Sequence, residues 1–326
     1  MIVFIFVLLK IIQMTITQLQ YVLAVAEYQN FTLAAEKSYV TQPTLSMQVQ
    51  KLEDELDVLI FDRSKKPIRI TEAGEKIVAQ AKNIVNEAER IKDIVDQEKG
   101  FIGGEYTLGI IPTVMPTLLP MFLKTFINKY PKVNLIIKEQ STETLIRNIH
   151  EGHLDAAIAA TPLEIEYIIE RPLYYEPFVG YVPDNHRLRG AAKLNPSDLD
   201  INDILLLKDG HCFRDGIINL CKTPKKYEDE HFQLQSGSFE TLVSLADENM
   251  GMTLLPYLNT LELDEKKKKN LKYFNKPSPA REVSLIYHKS ELKIQITNAL
   301  KDVISGIVRG AIAFQDVKII SPIQKN

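Results

Sequence analysis

The chain has 326 residues, with 39 basic and 42 acidic side chains, a net charge of -3 and 45% hydrophobic residues. That is enough material for two or three domains whose cores need no disulfides to form. Two cysteines exclude a secreted disulfide framework, and the acidic balance leaves no net-charge footprint for a nucleic acid, so local patterns must carry any such reading.

The opening stretch "MIVFIFVLLKIIQ" is apolar, but no basic region follows Met1, Lys10 interrupts the run and no small-x-small cleavage site follows. It is also shorter than the roughly 20 residues that a membrane span needs. The preferred reading starts translation at Met14 and gives a cytoplasmic protein with no membrane partner. The competing reading, an anchor or export signal, would put the cysteines in an oxidising compartment.

From Met14 onward, Leu19, Val22, Leu23 and Ala26 mark one helical face, and a second short helix is expected over Thr32 to Ser38. "TQPTLSMQVQKLEDEL" reads as a third, with Thr41 as N-cap and Pro43 in the first turn, where a missing N–H costs nothing. Leu45, Val49, Leu52 and Leu56 form its buried stripe. Gln42, Pro43, Thr44, Ser46, Met47, Gln50 and Lys51 are left for the other face or its flanks.

"FDRSKKPIRIT" then gives two short extended pieces around a turn that carries Arg63, Lys65, Lys66 and Arg69. Three short helices and a basic hairpin describe a winged helix-turn-helix over 14–70, whose second paired helix enters the major groove of double-stranded DNA while wing cations meet phosphates. The bland alternative is a small helical bundle with a solvated charge run. Charge does not decide, since 14–70 holds six Lys and Arg against seven Asp and Glu.

A single helix is expected from Thr71 to about Glu98. Ile77, Ala81, Ile84, Ala88, Ile91 and Val95 make a heptad seam, so 71–99 reads as a linker that pairs two copies; the alternative is a helix packed on its own domain. "GFIGGEY" marks a boundary near 100–104. Beyond it come "YTLGIIP", a helix over Met115 to Lys129, "VNLIIKEQ", a helix over Thr144 to Glu151 and "LDAAIAA", an order that implies parallel strands with crossover helices. "ILLL" and "MTLLP" read as further apolar strands, and "KKKK" at 266–269 as a solvated loop.

The two cysteines, Cys212 and Cys221, stand nine residues apart in "DGHCFRDGIINLC". Asp215 is a plausible N-cap for a short helix that Pro224 stops, with Cys212 just before the helix and Cys221 in its last turn. The helix would hold the Cα atoms farther apart than the roughly 7 Å that a disulfide tolerates, so closing the bond must unwind it. A helix N-terminus and Arg214 would favour a Cys212 thiolate, with His211 able to donate a hydrogen bond. Full ionisation raises the rate of a thiol of pKa about 8.5 only about 30-fold at pH 7, so fast peroxide cleavage needs donors for the departing hydroxide. Thr113, Thr142, His211 and, through a water, Asp215 are candidates. Oxidation would give a sulfenic acid that Cys221 resolves.

"FTLAAEKSYVTQPTLSMQVQKLEDELDVLIFDR" with the "ITEAG" after it resembles the DNA-binding domain of LysR-type transcriptional regulators. Met47 departs from the Arg that many of them carry, so base preference does not transfer. The resemblance implies a regulatory domain of two α/β subdomains of the periplasmic-binding-protein type over 105–312, subdomain I at 105–173 and 280–312 and subdomain II at 174–279. Most of the family binds a small metabolite in the cleft between them.

At the cysteine segment the resemblance narrows to the family's hydrogen-peroxide-sensing activators. "DGHCFRD", "IPTVMPTLLP", "EQSTETL", "SFETL", "GMTLLP" and the Arg281 of "PSPAREVSL" stand in their order. It implies Cys212 as peroxidatic, Cys221 as resolving, and Thr113, Thr142, His211, Arg214, Asp215 and Arg281 as the surrounding site. Implied partners are promoter DNA, hydrogen peroxide, RNA polymerase, a cellular thiol reductant and further copies as homodimer or homotetramer, with no enzyme activity, cofactor or metal. Phe213 and Gly216 depart from the better-known motif, and the tail after about 312 is not covered. Three alternatives stand beside it: a Cys2His2 zinc site using His211 and His231, a metabolite-sensing regulator with incidental cysteines, and an exported solute-binding protein.

Overall fold

The computed structural model describes residues 13–98, 102–221, 236–312 and 316–323. The N-terminal apolar segment, Gly100 of the predicted boundary, Pro224 and His231 lie outside the described residues. The chain divides into two compact units, 1–95 and 96–326.

The first unit contains α1 (Ile16–Tyr28), α2 (Phe31–Lys37), α3 (Gln42–Leu56), the short strands β1 (Phe61–Asp62) and β2 (Arg69–Ile70), and the start of α4 (Glu72–Glu98). Local chemistry sets each helix start. Thr15 and Gln18 form a capping box, Asn30 Oδ1 accepts from the Thr32 and Leu33 N–H groups at 2.8 and 3.1 Å, and Thr41 caps α3 as its sequence predicts. Leu45, Val49 and Leu52 are fully buried with Leu19, Val22 and Phe61.

Glu53 is buried in the same stripe, against what a charged residue beside Leu52 suggests. Its Oε1 accepts from the N–H groups of Ile60 and Phe61 at 2.7 and 3.1 Å, and its Oε2 pairs with Arg63 at 2.7 Å. The carboxylate thus ties α3 to the hairpin of β1 and β2. Gly74 admits no side chain, because a Cβ there would sit 2.2 Å from the Ile60 carbonyl oxygen.

The seam of α4 divides in two. Ala81 and Val85 are buried against the helix-turn-helix core, with Ile77 and Ile84 packed beside them, whereas Ile91, Ile94 and Val95 are exposed. Packing on its own unit therefore accounts for the first half, because the short helices leave an apolar face that α4 covers.

The second unit holds β3 (Gly104–Ile110), α5 (Met115–Lys129), β4 (Val133–Glu139), α6 (Thr142–His150), β5 (Ala156–Thr161) and β6 (Ile168–Tyr181). It continues with α7 (Cys212–Leu220), α8 (Phe239–Asp247), β7 (Thr253–Pro256), α9 (Tyr257–Leu261), α10 (Glu265–Lys268), β8 (Leu271–Tyr273), β9 (Ser278–His288), α11 (Ile294–Ala311) and β10 (Val317–Ile319). One mixed sheet runs in the order β4-β3-β5-β9-β6-β7, with β8 on β6 and β10 on β9.

β4, β3 and β5 are parallel, as the alternating pattern implies, but β9 and β6 then join antiparallel. These two long strands carry the chain between two cores. One core gathers Tyr106, Leu108, Phe122, Phe126 and Leu300, the other Phe178, Phe213, Leu242 and Leu254. Two sequence expectations are corrected. "ILLL" is a buried extended segment with a single bridge, Ile204 to Met252, because it lies in loop against the second core rather than along a neighbouring strand. The lysine run begins in α10, where Asp264 Oδ1 accepts from the Lys267 N–H at 2.8 Å and nucleates a turn.

Candidate functional site

On the first unit, α3 presents Gln42, Pro43, Thr44, Met47 and Lys51 to solvent, with Ser46 and Gln50 half-buried. Lys65, Lys66 and Arg69 are exposed on the hairpin. Arg63 is exposed too, but it is engaged: beyond its pair with Glu53 it reaches Ser46 Oγ at 3.4 Å and lies 4.9 Å from the centroid of the Phe31 ring. It braces the wing. Lys65, Lys66 and Arg69 are therefore the wing cations whose charge faces outward.

In the second unit the parallel strands bring helix starts together. Thr113 lies just before α5, Thr142 opens α6 beyond β4, and Cys212 opens α7. Ligand sites of α/β sheets form at such carboxyl ends of strands, where helix N-termini present free N–H groups. Cys212 is buried with the first core, while Phe213, the next residue, is buried in the second. α7 is therefore pinned across both cores by its first turn.

That helix begins four residues earlier than an Asp215 cap implies. His211 is its N-cap, and Asp215 lies in the first turn. The reason is burial: Phe213, Ile217 and Leu220 fall at i, i+4 and i+7 and enter one core, which demands helix from the first of them.

The environment of Cys212 also differs from expectation. Burial pushes its thiol pKa up, against the downward pull of Arg281, the Thr142 hydroxyl and the Ala160 peptide, while Asp215 adds to the rise. The cation beside the sulfur is Arg281, not Arg214, whose Nε is held by Asp209 at 2.8 Å and whose Nη1 donates to the Leu207 carbonyl at 3.2 Å. His211 is buried beside Gly237, and burial followed by Lys208 lowers its pKa. It is a neutral imidazole near pH 7. Thr142 Oγ1 is buried without a well-formed hydrogen bond, so the charged form of the neighbouring sulfur is what its proton can serve.

Arg281 is itself held from two sides. Its Nη1 and Nη2 donate to the Thr113 hydroxyl and carbonyl oxygens, both at 3.0 Å, and its Nε and Nη2 donate to Glu176 Oε2 at 2.9 and 2.7 Å. Glu176 stands opposite Arg281 in the β6–β9 ladder, is fully buried, and accepts the Leu258 N–H on its other oxygen at 2.9 Å. No sequence signal pairs residues so far apart in the chain, although a lone acid between apolar strand residues is the hint that Glu176 offered. Two residues earlier, the buried Tyr174 hydroxyl has no hydrogen-bond partner among the described residues.

Cys221 is the C-cap of α7, and the two thiols are free. Burial, then Asp203 and Asp200, pushes the Cys221 pKa up to about 12. At a rise of about 1.5 Å per residue, nine residues of helix separate the two Cα atoms by about 13 Å, nearly twice the reach of a disulfide. The structure thus brings Thr113, Thr142, Arg281 and Cys212 together and keeps Cys221 at the far end of the helix. Among the described residues no group of three His, Cys, Asp or Glu can hold a metal ion, and no helix is long and apolar enough to cross a membrane.

A raised pKa fixes the pH dependence. The thiolate is the reacting form, so below the pKa its fraction grows about tenfold per pH unit. We expect the alkylation rate of Cys212 in reduced protein to climb with about that slope from pH 6 to 8. A rate flat over this range would mean a thiol already ionised.

Residues 16–75 match the family model described as bacterial regulatory helix-turn-helix protein, lysR family, and residues 99–306 match the LysR substrate binding domain. The hydrogen peroxide-inducible genes activator of Haemophilus influenzae is 33% identical over 303 residues, 91% of this chain and 99% of that protein. The DNA-binding transcriptional dual regulator OxyR of Escherichia coli is 35% identical over 84% of this chain and 89% of its own length. Among solved structures, a full-length cysteine-to-aspartate OxyR variant from Pseudomonas aeruginosa superposes with a TM-score of 0.71 at 33% identity, covering 90% of this chain and 98% of that one. A cysteine-to-serine variant of Corynebacterium glutamicum OxyR with hydrogen peroxide bound gives 0.61 at 30%, covering 92% and 94%. The chain belongs to the LysR family of bacterial helix-turn-helix transcription regulators.

Proposed function

We propose that this regulator responds to hydrogen peroxide through a reversible Cys212–Cys221 disulfide and binds promoter DNA through α3 and the wing. The observation that carries the reading is the placement of the two thiols at opposite ends of one nine-residue helix, the first buried beside Arg281 and Thr142. The similarity to the hydrogen peroxide-inducible activator of Haemophilus influenzae and to the peroxide-bound OxyR variant supports it.

In the resting protein the Cys212 thiol is protonated. Peroxide entering beside it meets Arg281, Thr113 and Thr142, donors that bind the departing oxygen as the O–O bond breaks. Sulfur attacks one oxygen to form Cys212–SOH, and the other leaves as hydroxide, takes the thiol proton and becomes water. The Cys221 sulfur then attacks the Cys212 sulfur, displacing a second water and closing the disulfide. Two thiols are oxidised and one peroxide is reduced to two waters. A cellular dithiol reverses the change. Because both sulfurs cannot be bonded while α7 is intact, oxidation is converted into refolding of a segment anchored in both cores.

The exposed Ile91, Ile94 and Val95 of α4 suit pairing with a second copy, which would present two α3 helices to two half-sites. RNA polymerase and the thiol reductant are the further partners of this reading.

The test is mass spectrometry of alkylated full-length protein before and after a brief peroxide pulse. The expected result is a Cys212–Cys221 link in the native sequence, a sulfenic acid that persists at Cys212 in Cys221→Ser, and no reaction at Cys221 in Cys212→Ser. Unchanged alkylation of Cys212 with no link would refute the assignment.

A further inference from the structure

The C-terminal strand is fastened to the redox helix. β10 adds in parallel to the edge of β9, pairing Val317, Lys318 and Ile319 with Ser278, Pro279 and Ala280, immediately before Arg281. The Ile320 N–H donates to the Ala280 carbonyl at 2.8 Å, and the Ile320 side chain packs against the second core. Beyond it the chain reaches α7. Asn219 Nδ2, two residues before Cys221, donates to the carbonyl oxygens of Ser321 and Ile323, both at 2.9 Å. Both N–H bonds of one amide are thus spent on two carbonyls of the tail. The tail and Phe213, Ile217 and Leu220 of the helix also share one core.

We infer that residues 316–323 are a latch that holds α7 in its helical, reduced form, with Asn219 as the catch. The inference rests on the disulfide reading and deepens it. The helix supplies the geometry: Asn219 faces the tail only while α7 is wound, so drawing Cys221 toward Cys212 carries Asn219 out of reach of Ser321 and Ile323. Forming the disulfide and keeping the latch are then exclusive. The latch sets how oxidising the surroundings must be before the protein switches, and its release frees the β9 edge at 278–280 next to the strand position that carries Arg281.

Asn219→Ala separates this from a purely local effect by its sign. Alanine is a better helix former than asparagine, and propensity alone would favour the helical dithiol by about threefold. Losing two hydrogen bonds from the latch acts the other way, at about two- to tenfold each. In full-length protein equilibrated in glutathione redox buffers, with the dithiol and disulfide quantified by alkylation and mass spectrometry, we expect Asn219→Ala to move the equilibrium toward disulfide by about 1.3- to 30-fold. Ile320→Pro, which removes the N–H bonded to Ala280, should move it the same way, and the double variant should move it by less than the product of the two. A shift of Asn219→Ala toward dithiol, or no shift, overturns the latch while leaving the switch intact. Absence of any Cys212–Cys221 link in the unmodified sequence overturns the switch itself, and the latch with it.

Discussion

Replacing Arg281 by Met is expected to cost about 3–5 kcal/mol of folding stability and to make Cys212 less reactive at pH 7, and replacing Glu176 by Gln to cost stability too while making Cys212 more reactive. Both substitutions break one buried pair, with side chains 3% and 0% exposed, and each leaves a partner desolvated and uncompensated. Their effects on the thiol are opposite because the charges are. Arg281 is the strongest influence holding the Cys212 pKa down, so removing it lets burial push the pKa further up. Removing the Glu176 charge leaves the guanidinium field unopposed, and the thiolate fraction rises. Urea unfolding reads the first quantity, and the pH profile of Cys212 alkylation reads the second. Two variants that lose stability alike and shift the profile in the same direction would show that the pair only builds the fold.

The second large effect is expected at Phe213. Its ring is 2% exposed, meets Phe178 and Phe239 edge-on at centroid distances of 4.9 and 5.1 Å, and lies 5.3 Å from the Arg281 guanidinium carbon. Phe213→Ala should cost the reduced protein about 3–5 kcal/mol. If unwinding α7 to form the disulfide gives up even half of that burial, the same substitution moves the thiol–disulfide equilibrium toward disulfide by about 10- to 100-fold. Gly216 supplies the counterpart. A Cβ there would meet only Phe178 Cζ at 3.7 Å, ordinary contact, so Gly216→Ala fits the wound helix and favours it by about 0.5–1 kcal/mol. That predicts a two- to fivefold shift toward dithiol, measured in the same redox buffer. Equal shifts of one sign from Phe213→Ala and Gly216→Ala would deny that the helix must open.

Much of this was legible in the sequence because it is local. Thr41, Pro43 and the Leu45–Val49–Leu52 spacing determine α3 through capping and periodicity, which act within a few turns. The alternation from β3 to β5 likewise announced parallel strands and crossover helices. The start of α7 is not local: Asp215 looks like a cap, but the requirement that wins is tertiary, since Phe213 must reach the second core. What stayed hidden is long-range pairing. Glu176 meets Arg281 only because β6 and β9 lie side by side, and Asn219 meets Ser321 and Ile323 only because the tail adds to β9. Arg214 is the cation nearest Cys212 in sequence, two residues away, yet on the folded helix it turns to Asp209, and Arg281 takes its place. The heptad seam was half legible for a related reason: periodicity identifies an apolar face, but not which surface covers each part of it.

An intact α7 and a Cys212–Cys221 bond are expected to exclude one another. Amide hydrogen exchange over residues 214–221, followed in reduced protein and in protein shown by mass to carry the disulfide, tests it most directly. Slow exchange is expected in the dithiol, with loss of that protection throughout the segment once the bond is closed. Protection that survives unchanged in the disulfide form would contradict it.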